Sequence, residues 1–376
     1  MHAETPPPPP PDDDDIREVQ HFATILRAYD NYLPWARRRL RRLADDYARL
    51  GAPHRAALRL DEKLEAMHRA AEANGAAIAR LVAPHRAHVG SDVLHMFVLA
   101  DDGRGGVRAT AAAGAAYVPE SDMEKVQSTL KQCVREWGEE GEEERREAHT
   151  PLLTALRETV PVGGGEARVL LPGAGLGRLA WEVARLGYKA QGCEFSYFML
   201  LASNFIMNGL GGERVVIHPW VLQTCNTRSI EDAVRPAEVP AVSPAELEAT
   251  CNLSMCAGDF LEIYRDQRSR WEAIVTCFFI DTAHDVTRYI ERIAAMLVPG
   301  AVWINIGPLL WHWSDMSNEV SVDLTWEELR ALIVAFGFVI EQEEWRMCKY
   351  TRNPRSMYRM EYECIFFVAR LPAATQ

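Results

Sequence analysis

Several features that would place this chain in other classes are missing from it. Its eight cysteines contain no C-x-x-C pair, and its histidines show no paired spacing, so no metal site is expected and the thiols read as reduced. No apolar run reaches the roughly 18 residues needed to span a bilayer. The proline-rich start, followed by four aspartates, has no apolar segment of a secretory signal. A soluble cytoplasmic or nuclear protein is the expectation, with no membrane partner. An excess of positive charge is also missing: 41 Lys and Arg stand against 53 Asp and Glu, a net charge of −12. That balance argues against nucleic acid as a partner. The one basic run, Arg37-Arg-Arg-Leu-Arg-Arg42, reads as the solvated face of a helix.

What remains is a chain of 376 residues with 48% apolar content, enough for one large domain with a helical annex. Residues 1–15 cannot bury apolar area and read as a disordered tail. An N-terminal helical domain is expected over 16–160, opening with Val19, Phe22, Leu26, Tyr29 and Leu33 at spacings of three and four. Within it, residues 101–118 are a glycine- and alanine-rich insertion, and Ser121-Asp-Met-Glu124 has the spacing of a capping box. Met123, Val126, Leu130, Val134 and Trp137 then mark a buried stripe. Gln132 and Arg135 share one flank of that helix; the spacing alone favours a solvated flank over a ligand contact.

From 161 to 372 the pattern alternates strands with helices, as in a doubly wound parallel α/β sheet. Seven strands are expected near 168–172, 189–194, 254–257, 272–279, 301–306, 338–345 and 363–369. Helices are expected near 177–186, 197–208, 285–296 and 325–336. The last two strands have no helix between them and should form an antiparallel edge hairpin, the arrangement of class I methyltransferases with their Rossmann-like sheet. A proline-containing insertion at about 222–252 is expected to cover part of the site's rim.

The densest signal is Val169-Leu-Leu-Pro-Gly-Ala-Gly-Leu-Gly-Arg178, an apolar strand running into a glycine hairpin that opens a helix. Gly173, Gly175 and Gly177 allow close backbone approach, and the helix offers unpaired N–H groups. A dinucleotide fingerprint needs glycine where Arg178 stands, so the looser loop suits S-adenosylmethionine. Glu194 ends the next strand at about 20 residues from the glycines, where an acid reaches ribose hydroxyls. The alternative is an ordinary tight turn, with Glu194 capping the following helix.

Ligands in such a sheet bind outside the carboxyl ends of the strands, and chemistry-bearing residues cluster there. Asp259 and Phe260 follow the third strand and can hold the amino group and the face of an adenine. Cys277, with nothing adjacent to lower its pKa, reads as lining the adenosine pocket rather than as a nucleophile. Asp281 and His312 leave adjacent strands and can meet over the cofactor's methyl group, with Trp311 and Trp313 nearby to exclude water. Taken singly, Asp281 reads equally as a helix cap and His312 as a satisfied loop histidine.

Leu171-Pro-Gly-Ala-Gly-Leu-Gly-Arg-Leu-Ala-Trp-Glu182, Glu194-Phe-Ser, Ser203-Asn-Phe205, Asp281-Thr-Ala-His284 and Gly307-Pro-Leu-Leu310 together resemble the carnosine N-methyltransferase family, over about 122–370. That family methylates the imidazole of the dipeptide carnosine to give anserine, using S-adenosylmethionine. The resemblance implies cofactor roles for Gln132, Arg135, Gly173, Glu194, Asp259, Phe260 and Cys277, and so replaces the solvated-flank reading. It implies substrate roles for Asp281 and His312, aromatic enclosure of the imidazole by Tyr350 and Tyr362, and a homodimer. Met360 stands where the family carries a further tyrosine, and the N-terminal tail and the glycine–alanine insertion have no counterpart in it.

The chemistry then follows. A neutral imidazole is already nucleophilic, and the protein's task is to choose which nitrogen faces the methyl. Asp281 is expected to accept the N–H of the nitrogen that is not attacked and to stabilise the imidazolium, while His312 positions substrate or relays the proton. A histidine within a protein is the alternative acceptor. A cofactor-binding platform without activity is the alternative from another class, opposed by the joint presence of Asp281, His312 and Tyr362.

Overall fold

The structure, a computed structural model, describes residues 13–86, 99–101, 107–109, 118–247 and 252–373. The chain divides into two compact units, Met1–Gln127 and Ser128–Gln376. In the first, helices α1 (Asp13–Asp30), α2 (Tyr32–Ala48), α3 (Ala52–Ala57) and α4 (Leu60–Arg86) follow the three-and-four spacing. Leu26 and Tyr29 are buried as the spacing predicts, whereas Val19 is exposed. The Tyr32 hydroxyl accepts a hydrogen bond from Asn74 at 2.8 Å. Arg37, Arg38, Arg39, Arg41 and Arg42 all lie on the exposed face of α2. Helix α1 begins inside the stretch expected to be a tail; residues 1–12 lie outside the described residues. At the start of the glycine–alanine insertion, β1 (Leu99–Asp101) pairs antiparallel with β2 (Val107–Ala109).

The division into compact units falls at 127/128, ahead of the domain boundary expected near residue 160. Helix α6 (Glu142–Thr159) belongs with the sheet, because its Ala148, Leu152, Ala155 and Leu156 share one apolar cluster with sheet residues. Helix α5 (Glu120–Trp137) buries the expected stripe from Met123 to Trp137. It starts one residue before Ser121, so that serine lies inside the helix and does not cap it.

Seven strands make the main sheet: β3 (Arg168–Pro172), β4 (Lys189–Glu194), β7 (Leu253–Ala257), β8 (Trp271–Cys277), β9 (Leu297–Gly307), β10 (Val339–Lys349) and β11 (Glu361–Arg370). Their order is β10-β11-β9-β8-β3-β4-β7. The pairs β3–β4, β3–β8, β4–β7 and β8–β9 are parallel, while β11 runs antiparallel to both β9 and β10. This is the doubly wound class I arrangement with the edge hairpin in the expected place.

Central strands covered on both faces need near-continuous apolar sequence, and these have it. In β9, Val302, Ile304 and Ile306 enter one cluster and Ala301 and Trp303 the other. In β11, Cys364, Phe366 and Val368 alternate in the same way with Ile365, Phe367 and Ala369. Helix α7 (Arg178–Arg185) covers the first face, α8 (Tyr197–Asn204) follows β4, and α11 (Val286–Met296) and α12 (Trp326–Ala335) cover the second face. The chain reverses winding direction between β3 and β8, which opens a crevice at their carboxyl ends.

The insertion after β5 (Val215–Ile217) carries α9 (Ile230–Val234) and β6 (Ala237–Val239). It is tied to the hairpin loop: Arg355 pairs with Asp232 at 3.0 Å, the Ser356 hydroxyl donates to the Asn226 carbonyl at 3.1 Å, and Arg235 donates to Asn353 at 2.9 Å.

Candidate active site

At the β3 end, Gly173, Gly175 and Gly177 all hold positive φ, at 66°, 55° and 80°. A side chain at Gly175 would place its Cβ 2.6 Å from Glu136 Oε1, and one at Gly173 would lie 2.6 Å from the Phe279 ring. The glycines are therefore required by the protein's own packing as well as by any ligand. Glu194 at the end of β4 accepts from Gly175 N–H and Ser196 N–H, both at 2.8 Å, through different oxygens. Burial raises its pKa, and those two N–H groups oppose the shift. Each carboxylate oxygen keeps lone pairs for a hydroxyl. Asp259 caps the short helix α10 (Phe260–Ile263) through Oδ1, from Leu261 at 2.8 Å and Glu262 at 3.1 Å, so Oδ2 stays out of the cap.

Glu136 is the residue that sequence reasoning missed. Its carboxylate accepts from Leu176 N–H at 3.0 Å and Arg178 N–H at 3.3 Å, at the start of α7. This is where a dinucleotide's pyrophosphate would sit, and an internal anion already holds the place. Burial pushes the Glu136 pKa up to about 7, against the pull of Arg135 and of those N–H groups. The sequence shows only that positions 132, 135 and 136 share one helix face.

Arg135 is buried and lies 3.8 Å from Glu136 and 3.5 Å from Glu144. Its Nη1 donates weakly to Gln132 Oε1 at 3.5 Å, and its Nε faces Glu144 Oε2 at 3.5 Å without making a hydrogen bond. A buried guanidinium whose donors are held this loosely fits the carboxylate of an amino-acid-bearing cofactor. Gln132 Nε2 donates to the Tyr350 hydroxyl at 2.8 Å. Cys277 lines a small cavity with Arg135, Gly173 and Ala174, and burial pushes its thiol up to about 12, so it serves as wall and not as nucleophile.

At the β8 end, Phe278 stands at φ 53°, a conformation that costs about 1–3 kcal/mol for a bulky residue. Its ring meets Tyr350 at 4.8 Å and Tyr362 at 6.3 Å. The Arg135 guanidinium lies 4.5 Å over Tyr350 and 5.6 Å over Phe278. Asp281, 2% exposed, accepts from Leu310 N–H at 3.0 Å through Oδ2. Burial raises its pKa; the Leu310 bond and the nearby His312 oppose the shift. The helix-cap alternative for Asp281 is ruled out, because Asp285 caps α11 by accepting from Thr287 N–H at 2.9 Å. His312 is exposed, and its backbone N–H donates to the Asp281 carbonyl at 3.0 Å. Trp311, at φ 47°, and Trp313 anchor this loop through their indole N–H groups, to Leu324 and Thr282 carbonyls at 3.1 and 2.8 Å.

The structure thus gathers Gln132, Arg135, Gly173, Gly175, Glu194 and Cys277 around the glycine hairpin, and Asp281, Tyr350 and Tyr362 around Phe278. Phe260 differs from the expectation. Its ring sits in the core against Phe279 and Tyr289, with centroids at 5.6 and 5.3 Å, so it offers an adenine only its backbone.

The carnosine N-methyltransferase family model matches residues 113–373. Over 289 residues the chain is 43% identical to the carnosine N-methyltransferase of Mus musculus, covering 75% of this chain and 70% of the mouse protein. The chain belongs to the carnosine N-methyltransferase family. The Rattus norvegicus carnosine N-methyltransferase is 42% identical with the same coverage. The Drosophila melanogaster protein named carnosine N-methyltransferase unmet is 41% identical over 263 residues, 67% of this chain and 58% of its own. In this family member, Glu136, Phe278 and Asp281 join the motif residues at one strand-end crevice.

Proposed function

We propose that this protein is an S-adenosylmethionine-dependent enzyme that methylates the imidazole of carnosine. The observation that carries the reading is the buried Asp281 carboxylate, whose charge reaches Tyr362, on the loop where the Phe278 ring meets Tyr350 and Tyr362, one strand from the glycine hairpin. Gln132, Arg135, Glu194, Asp259 and the Phe260 backbone are the groups that would hold the cofactor, and the loosely held Arg135 guanidinium and the uncapped Asp259 Oδ2 support the fit. When bound, the cofactor supplies an electrophilic methyl group on a sulfonium.

The protein's own residues then have a positioning and electrostatic task. Asp281 accepts the N–H of one imidazole nitrogen, which fixes the ring's tautomer and turns the other nitrogen outward. A carboxylate away from water stabilises the imidazolium as its charge develops, more strongly than a solvated one would. The Tyr350 and Tyr362 faces add cation–π attraction to the same charge. His312, at the rim, positions the substrate or relays its proton. Mass spectrometry of the product formed from carnosine and isotopically labelled S-adenosylmethionine tests the reading. One labelled methyl on the imidazole is expected; label on the β-alanyl amine, or none, overturns it. We also infer a homodimer from the family resemblance, which sedimentation of the full chain would check.

A further inference from the structure

A second cavity, of about 130 Å³, opens beside the aromatic cluster, and Tyr350 and Met360 stand in its wall with Lys131, Trp220 and Gln223. Tyr350 is thus shared with the ring cluster around Phe278, and Met360 meets the Tyr362 hydroxyl at 3.5 Å. The charges around this cavity are unequally matched. Arg235 pairs with Glu140 at 2.7 Å, and Arg352 pairs with Glu143. Glu144 is held by Thr351 and Arg352 N–H at 2.8 and 2.7 Å and by Arg135. Lys131 alone among these cations has no carboxylate partner among the described residues; its ammonium lies 5.8 Å from the Trp220 ring. Partial burial, with no acid to offset it, lowers its pKa.

Trp220 gives an independent observation. It is 2% exposed, and its indole N–H has no acceptor among the described residues. A buried donor without an acceptor is costly, and a cation stripped of water without a counter-charge more so. Both deficits are met by one incoming anion that can accept from an indole N–H and pair with an ammonium.

We propose that Lys131 and the Trp220 indole N–H form a subsite for the α-carboxylate of the substrate's histidyl residue. The inference rests on the carnosine reading and deepens it. In carnosine the carboxylate is separated from the ring only by a methylene and the α-carbon, so a ring held among Phe278, Tyr350 and Tyr362 brings it to the neighbouring cavity. The β-alanyl ammonium is repelled by Lys131 and points elsewhere, which fixes the dipeptide's direction. A histidine inside a protein chain carries an uncharged amide at this position, whose carbonyl can accept from the indole N–H but leaves the ammonium without a counter-charge.

The test compares carnosine with its decarboxylated analogue, β-alanylhistamine, using the full-length enzyme. Wild type is expected to show kcat/KM roughly tenfold to a hundredfold higher for carnosine, carried by KM. In Lys131→Met that preference falls to near one, and in Trp220→Phe, which keeps the ring and removes the donor, it falls several-fold. Equal kcat/KM for the two substrates in wild type, or a preference that survives in both variants, overturns the subsite while leaving carnosine methylation standing. Wild type that methylates neither compound overturns the functional reading and the subsite with it.

Discussion

The two ends of the crevice handle polar groups in opposite ways. At the β3–β4 end, the Glu136 and Glu194 carboxylates accept from the glycine hairpin's own N–H groups, and the positive-φ residues are glycines that adopt that conformation without penalty. At the β8–β9 end, two bulky residues, Phe278 and Trp311, are held at positive φ, and a carboxylate is buried with a single N–H donor from the facing loop. Beside that end, among the described residues, Lys131 lacks a carboxylate partner and the Trp220 indole N–H lacks an acceptor. A cradle whose polar groups are already matched is preorganised for binding. Strained backbone and unmatched groups store free energy that an incoming substrate relieves, and such features cluster where chemistry occurs.

If this division is right, substitutions at the two ends separate turnover from cofactor affinity. The largest effect belongs to Asp281→Ala, for which steady-state assays should show kcat lower by roughly a hundredfold to ten-thousandfold. Near-normal turnover would remove Asp281 from the mechanism. Next, Glu194→Ala should weaken cofactor binding about tenfold to a hundredfold by calorimetry, and unchanged affinity would count against the ribose anchor.

Gly175→Ala forces a Cβ against Glu136 and onto a left-handed backbone, so thermal melting should register a loss of about 1–3 kcal/mol. A wild-type melting point would show that the hairpin yields. The smallest effect is in pH dependence. The Glu136 pKa is raised from 4.5 to about 7 in the folded state, so the native chain binds this proton more tightly than the unfolded one. Its contribution to stability is complete below 4.5 and is lost as pH rises through about 7. Wild type should therefore gain stability relative to Glu136→Gln as pH falls across that window. A constant difference between the two melting points would place the Glu136 pKa near its ordinary value.

The sheet was legible because central strands such as β9 and β11 are apolar on both faces and its helices keep the spacing of three and four. The edge hairpin followed from the missing helix between β10 and β11. The site was legible wherever a residue type sits at a strand's end, as Glu194 and Asp281 do. Glu136 escaped because a carboxylate on an amphipathic helix usually faces water, and only the fold shows the helix α7 N-terminus pressed against it. The Phe260 side chain was misread because position after an acid does not say which way a ring turns; the aromatic core around Phe279 and Tyr289 decides that. The packing of α6 on the sheet was hidden because its charge-rich sequence conceals the apolar stripe that covers the sheet.

Calorimetric titration of S-adenosylhomocysteine into Asp281→Ala tests the division of labour most directly. The account expects affinity within about twofold of wild type, since the groups that would hold the adenosine and amino-acid parts lie around the β3–β4 end and on helix α5. Affinity that collapses together with turnover would contradict it, and would make the crevice a single cooperative site.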